Sequence, residues 1–144
     1  MKSFKQYLGE TVIKLGDNSA MKAKLNAFMQ DFESGTTDHP FDHTMRVWHD
    51  TIGLELSPFG RAIHISSIIS FDKKNAGQAS QALKWLCDLA DKHQVKMELI
   101  AEPIKNAGSQ NGVSLTKSQL MSWYKRYGFQ PDEDDSDSMT RFSA

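Results

Sequence analysis

Between residues 20 and 33 the apolar positions are Met21, Leu25, Phe28, Met29 and Phe32. Steps of three and four keep them on one face, so the pattern predicts an amphipathic helix capped by Ser19. Ser34-Gly35-Thr36-Thr37 ends that helix, and 38–44 is a polar loop broken by Pro40. From 45 to 71 the period falls to two. Ile52, Leu54 and Leu56 alternate with Gly53 and Glu55, which predicts a strand with one buried face. Pro58-Phe59-Gly60 predicts a turn, and 62–71 predicts a long strand carrying Ile63, Ile65, Ile68 and Ile69. Its alternation slips between Ile65 and Ile69, as in a strand buried on both faces or one carrying a bulge.

The helical period returns over 78–93, with Ala79, Ala82, Leu83, Leu86, Leu89 and Ala90 on one face. Residues 96–102 alternate as a further strand that Pro103 terminates, and 106–112 form a Gly/Asn/Ser loop. Thr116-x-x-Gln119 is a capping box for a last helix to about Tyr127, whose face is Leu120, Trp123, Tyr124 and Tyr127. Gly128 is expected to close it in the left-handed conformation. Phe129-Gln130 and 139–142 then predict a hairpin around an acidic turn. At the start, Phe4, Tyr7 and Leu8 suggest a short helical face stopped by Gly9. Residues 11–15 suggest an edge strand, and Gly16-Asp17-Asn18 a turn. The chain divides into an N-terminal appendage, 1–18, and a single domain, 19–144.

Composition narrows the class without naming an activity. A chain of 144 residues fits one domain. Seventeen Lys plus Arg against eighteen Asp plus Glu leave a net charge of -1. That balance argues against a nucleic-acid partner held by overall charge, and against an anionic membrane. No apolar run approaches the roughly 20 residues that span a bilayer. The one cysteine, Cys87, excludes an intrachain disulfide and a cysteine-rich zinc site. It suits a reducing cytoplasm, with Cys87 expected to pack in the core.

The junction between the strand 62–71 and the helix 78–93 carries the candidate chemistry. A strand enters a short loop with Lys73, Lys74 and Gly77, then a helix whose first N–H groups lack partners. The helix dipole, close backbone approach at Gly77 and two lysines together suit a pyrophosphate. An ordinary strand-to-helix turn is the alternative from these residues alone.

The segment from Ile69 to Leu83, containing Lys74-x-x-Gly77-x-Ala79, resembles the acetyl-coenzyme A motif of the GNAT N-acetyltransferase superfamily. Trp123-Tyr124-Lys125-Arg126-Tyr127-Gly128-Phe129 is similar to that family's Phe-Tyr-x-x-x-Gly-Phe. The resemblance covers about 45–142 and departs where Lys74 replaces Arg or Gln, Asn75 replaces Gly, and Lys117 replaces an Asn. It implies an α/β fold with a mixed, mostly antiparallel central sheet flanked by helices, splayed between 63–71 and 97–102 to admit the cofactor. It implies acetyl-coenzyme A as cosubstrate. The backbone at Ile69 and Phe71 would bind the pantetheine arm, and Lys74, Asn75, Ala76, Gly77, Gln78 and Ala79 would hold the pyrophosphate. It makes Tyr124 the general acid that protonates the departing thiolate. A packed aromatic face is the alternative role for Tyr124.

The general base stays open between His64, Glu98, Glu102 and a water chain; His64 lies where some family members place a carboxylate. Asp38, His39, Asp42, His43 and His49 carry metal-ligating groups, but Pro40 prevents a helical pair of histidines, and no metal is expected. Asp132, Glu133, Asp134, Asp135 and Asp137 are expected at a solvated hairpin tip. Residues 1–10 resemble capsid-targeting peptides of large tailed phages, which are cut after Leu/Ile-x-Glu, here Leu8-Gly9-Glu10. That resemblance implies host cytoplasm or a virion interior. The expected activity is acetyl transfer to a primary amine on a small molecule or a protein, by a protein compatible with a homodimer. The alternative is a non-catalytic binding protein of the same fold, a phage protein acting on a host partner.

Overall fold

The structure is a computed structural model describing residues 4–71, 76–102, 116–133 and 136–144, with backbone alone at 4–18 and 76. Among the described residues, three helices and seven strands follow one another as α1 (Phe4–Ser34), β1 (Thr37–Asp38), β2 (Arg46–Trp48), β3 (Ile52–Phe59), β4 (Ala62–Ser70) and α2 (Ala76–His93). Then come β5 (Lys96–Ile100), α3 (Lys117–Arg126), β6 (Gln130–Pro131) and β7 (Ser138–Arg141). The strands form one sheet in the order β1-β2-β3-β4-β5-β7-β6. Only β4 and β5 run parallel; the other pairs are antiparallel. The expected mixed, mostly antiparallel sheet with flanking helices is therefore observed.

The first expectation to fail is the break at 9–18. The backbone is helical without interruption from Phe4 to Ser34, so the edge strand at 11–15 and the turn at Gly16-Asp17-Asn18 do not form. A glycine inside a helix costs only about 1 kcal/mol against alanine, and propagation from a formed helix adds a hydrogen bond per residue. Lone breakers are thus outvoted. From Leu25 onward the predicted stripe holds: Leu25, Phe28 and Phe32 are buried. They meet α2 through Phe32 on Trp85 and Phe28 edge-on to His93.

The core lies between these two helices and one sheet face. Ile52, Leu54, Ile63, Met97 and Met139 from four strands are fully buried there with Leu83 and Leu86 of α2. Gly60, with φ of 60°, is the first residue of the two-residue link between Phe59 and Ala62, where the right-handed twist of a hairpin demands a left-handed residue. The strand therefore reaches Phe59, two residues further than the turn expected at Pro58.

The slip in β4 is a bulge. Glu55 pairs with Ser67 and Leu56 with Ile65, leaving Ser66 as the extra residue. Before the bulge Ile63 and Ile65 face the helices; after it Ile68, opposite Leu54, takes that face and Ile69, opposite Gly53, takes the other.

Candidate functional site

The bulge is also where the sheet opens. β4 pairs with β5 only from Ala62–Lys96 to Ile65–Leu99. Beyond that, 67–70 pair with β3 alone, while Ile100 pairs with β7. Pairing between the two parallel strands thus stops toward the end of β4 that leads into α2, the region where the sequence places the expected splay.

Phe71 closes the strand by donating its amide to the Thr51 carbonyl at 2.8 Å. Antiparallel ladders alternate, so Ile69 also turns its backbone groups toward β3, and Ile68 turns its own toward the opening. The resemblance implies pantetheine contacts at Ile69 and Phe71. The extra residue at Ser66 shifts the phase by one, and the group facing the opening is at Ile68.

On the far side of the loop, Ala76, Gly77, Gln78 and Ala79 form the first turn of α2. Lys73, Lys74 and Asn75 lie outside the described residues. Gly77 is exposed, and a Cβ built there meets nothing within 4 Å. The main chain is thus open to an approaching anion at this turn. Gln78 accepts a hydrogen bond on its Oε1 from the Thr51 hydroxyl. Ala79 packs against the core.

α3 carries Tyr124, and its neighbour Trp123 touches the start of α2. The predicted capping box is formed: Thr116 Oγ1 accepts from the Gln119 amide at 3.2 Å, and Gln119 Oε1 accepts from the Thr116 amide at 2.9 Å. Trp123 Nε1 donates to Ser80 Oγ of α2 at 2.9 Å, which sets the two helices against each other. The Tyr124 ring is buried between Trp123, at 5.0 Å, and Phe129, at 5.6 Å. Burial pushes its phenol up to about 12. The group is fully protonated at neutral pH, the state an acid needs and a base does not. Gly128 closes α3 with φ of 95°, and a Cβ there would come within 3.3 Å of Arg141 Nε. The positive φ favours glycine there, and a Cβ would in addition press on the Arg141 side chain.

The candidate bases separate by position. His64 stands opposite Ser57 on one side and Glu98 on the other, in the last rows before the opening. Glu98 in turn stands opposite Thr140, so a polar row Ser57, His64, Glu98, Thr140 crosses four strands. Neighbouring positions in a parallel pair share a face, which places two of the rivals side by side. Glu102 is exposed beyond the end of β5.

The His/Asp cluster of 38–49 serves its own loop. His39 Nδ1 accepts from the amides of Phe41 and Asp42, at 3.1 and 3.0 Å. Asp42 accepts from the amide and hydroxyl of Thr44, which hold its carboxyl below the usual range. Asp38 pairs with Arg46. Among the described residues no three such groups converge as a metal site.

Cys87 is buried, and desolvation pushes its thiol up to about 11, which leaves it unreactive at neutral pH. The acidic turn lies between β6 and β7 as expected. There Asp132 accepts from Thr140 and Asp137 pairs with Lys117. Asp134 and Asp135 lie outside the described residues. A cleft of about 840 Å³ between α3 and β6, lined by Lys117, Lys125, Asp132 and Glu133, contains none of the predicted site residues. Thr51 and Ser80 hold these elements together and are not singled out by the sequence: Thr51 sits in no motif, and Ser80 lies in the segment 69–83 without an expected role.

Among the described residues no helix is long and apolar enough to cross a membrane. No family model and no curated protein matches the chain. A solved structure does: the crystal structure of the anti-CRISPR protein AcrVA5 matches with a TM-score of 0.51 at 20% identity, over 65% of this chain and 93% of that one. At that identity the likeness is one of fold.

Proposed function

We propose that this protein is a GNAT-type N-acetyltransferase that moves an acetyl group from acetyl-coenzyme A to a primary amine. The observation that supports it best is the opening between β4 and β5 beside the exposed first turn of α2. An extended pantetheine arm would lie along β4 at Ile68, and the pyrophosphate would sit at the amides around Gly77. In this reading the amine nitrogen attacks the thioester carbonyl carbon directly. The C–S bond breaks, the sulfur takes the Tyr124 proton, and the surplus amine proton leaves to His64, Glu98 or water. The protein acts in the cytoplasm, where acetyl-coenzyme A is made and a lone thiol stays reduced.

Thermal unfolding with acetyl-coenzyme A tests the cofactor. At 100 times the dissociation constant, binding adds about 2.7 kcal/mol of stability. No shift at millimolar cofactor sinks the proposal. Tyr124→Phe should lower turnover by roughly 10²-fold or more while leaving that shift intact.

A second reading keeps the scaffold without the chemistry: a binding protein acting on a host partner. The departures from the acetyl-coenzyme A motif at Lys74, Asn75 and Lys117 favour it, and the anti-CRISPR neighbour is named for acting on another system. It predicts that a host partner is bound equally well by wild type and by the Tyr124→Phe variant, with no acetyl transfer by either.

A further inference from the structure

The turn joining β2 to β3 touches both flanks of the cofactor cradle. His49 and Asp50 take left-handed backbone angles, φ 51° and 64°, and the Thr51 amide donates to the Trp48 carbonyl at 3.3 Å. Two consecutive left-handed residues are the mark of a type I′ turn, for which Asn-Gly is the favourable sequence. His-Asp adopts it at a cost that surrounding contacts must offset. Those contacts are visible: the His49 ring lies on Trp48 with centroids 3.8 Å apart, and Trp48 packs on Trp85 of α2 at 6.2 Å. The turn is thereby fixed relative to α2.

From this support Thr51 reaches two elements that lie seven residues apart in sequence. Its carbonyl accepts from the Phe71 amide at 2.8 Å, and its hydroxyl donates to Gln78 Oε1. Phe71 stands at the end of the strand that borders the opening. Gln78 stands in the first turn of α2. With Oε1 engaged by Thr51, the Gln78 Nε2 hydrogens are left as the donors this side chain can offer an anion.

We infer that Thr51 is a positioning residue for the acyl-coenzyme A cofactor, a role that rests on the acetyltransferase reading above. It fixes the end of β4 against the start of α2, so the pantetheine edge and the pyrophosphate amides keep one spacing before the cofactor arrives. Pre-set geometry of this kind raises affinity by removing an ordering cost from binding.

The test uses calorimetric titration of the full chain with coenzyme A, on wild type, Thr51→Val and Thr51→Ser. Valine keeps the shape and removes the donor; serine keeps the donor. Thr51→Val should raise the dissociation constant roughly fivefold, and Thr51→Ser should restore it to within about twofold. The KM for acetyl-coenzyme A should rise by the same factor with kcat unchanged. A double-mutant cycle of Thr51→Val with Gln78→Met, read by urea unfolding of the ligand-free chain, should show coupling. Zero coupling overturns the inference. So does a Thr51→Val variant that is coupled to Gln78 but binds coenzyme A as wild type does. A wild-type chain that does not bind coenzyme A overturns the acetyltransferase reading first and this role with it, and the cycle then reports a purely structural contact.

Discussion

Burial among aromatic rings makes the Tyr124 phenol harder to ionise. Its phenol rises from an ordinary value of 10.0 to about 12 because burial against Trp123 and Phe129 disfavours the charged form. A raised pKa in the folded state gives stability that is complete below the unfolded value and lost as pH rises through the folded one. Cys87 has the same sign one step lower, from 9.0 to about 11. Stability should therefore decline across pH 9 to 12, and Tyr124→Phe should remove the upper part of that decline, as read from urea midpoints. An unchanged slope in the variant would show that Tyr124 titrates normally. Gly77 separates fold from function at the same scale. Nothing lies within 4 Å of a Cβ there, so Gly77→Leu should leave stability equal or raise it by about 0.5–1 kcal/mol through better helix propensity. The added side chain would stand where the pyrophosphate lies in the proposal, so coenzyme A binding should fall at least tenfold by calorimetry. Full binding would remove the phosphate from this turn.

At the scale of elements, the C-terminal strand is held to α2 by charge. Arg141 makes a bidentate pair with Asp91 at 2.8 and 2.9 Å, and its Nε donates to the Tyr127 carbonyl at 2.8 Å. The guanidinium holds the Asp91 carboxyl below its usual range, so the pair's contribution is present above that range and lost as pH falls. Arg141→Ala should cost about 2 kcal/mol at neutral pH, and the difference from wild type should shrink on acidification, as measured by thermal unfolding. A constant difference would leave the ion pair without effect. This three-way joint is invisible to a periodicity argument, because its partners lie on a helix, a cap and a strand far apart in sequence. The helix stripes were legible: Leu25, Phe28 and Phe32 in α1 and Ala82, Leu83, Leu86 and Ala90 in α2 are buried as their spacing requires. The capping box at Thr116 was legible because a cap is satisfied by residues three apart. The strand expected at 11–15 was misjudged because local breakers were weighed without the long helix they interrupt.

For the whole molecule, one extra residue marks where the sheet opens. Deleting Ser66 would join Ile65 to Ser67 in a regular ladder that keeps Ile68 opposite Leu54 on the helix face. The mutant should therefore stay within about 1 kcal/mol of wild type in urea unfolding, while the loss of the local bend should weaken coenzyme A binding by calorimetry. Unchanged binding would show that the bulge does not shape the opening. The balance of charge has the same spatial character. Arg46, Lys117 and Arg141 each face an acidic partner, Asp38, Asp137 and Asp91.

The sequence by itself determined what depends on near neighbours: the helix faces, the alternating strands, the capped start of α3, the left-handed Gly128 and the slip in β4. Each is a matter of spacing along a chain with a fixed period. Tertiary structure decided the rest. It made the slip a bulge at Ser66, and so moved the backbone group facing the opening from Ile69 to Ile68. It set His64 beside Glu98 and joined Thr51 to both Phe71 and Gln78. Those outcomes turn on which strands pair, in which register and with which helix across them, and no local period carries that information.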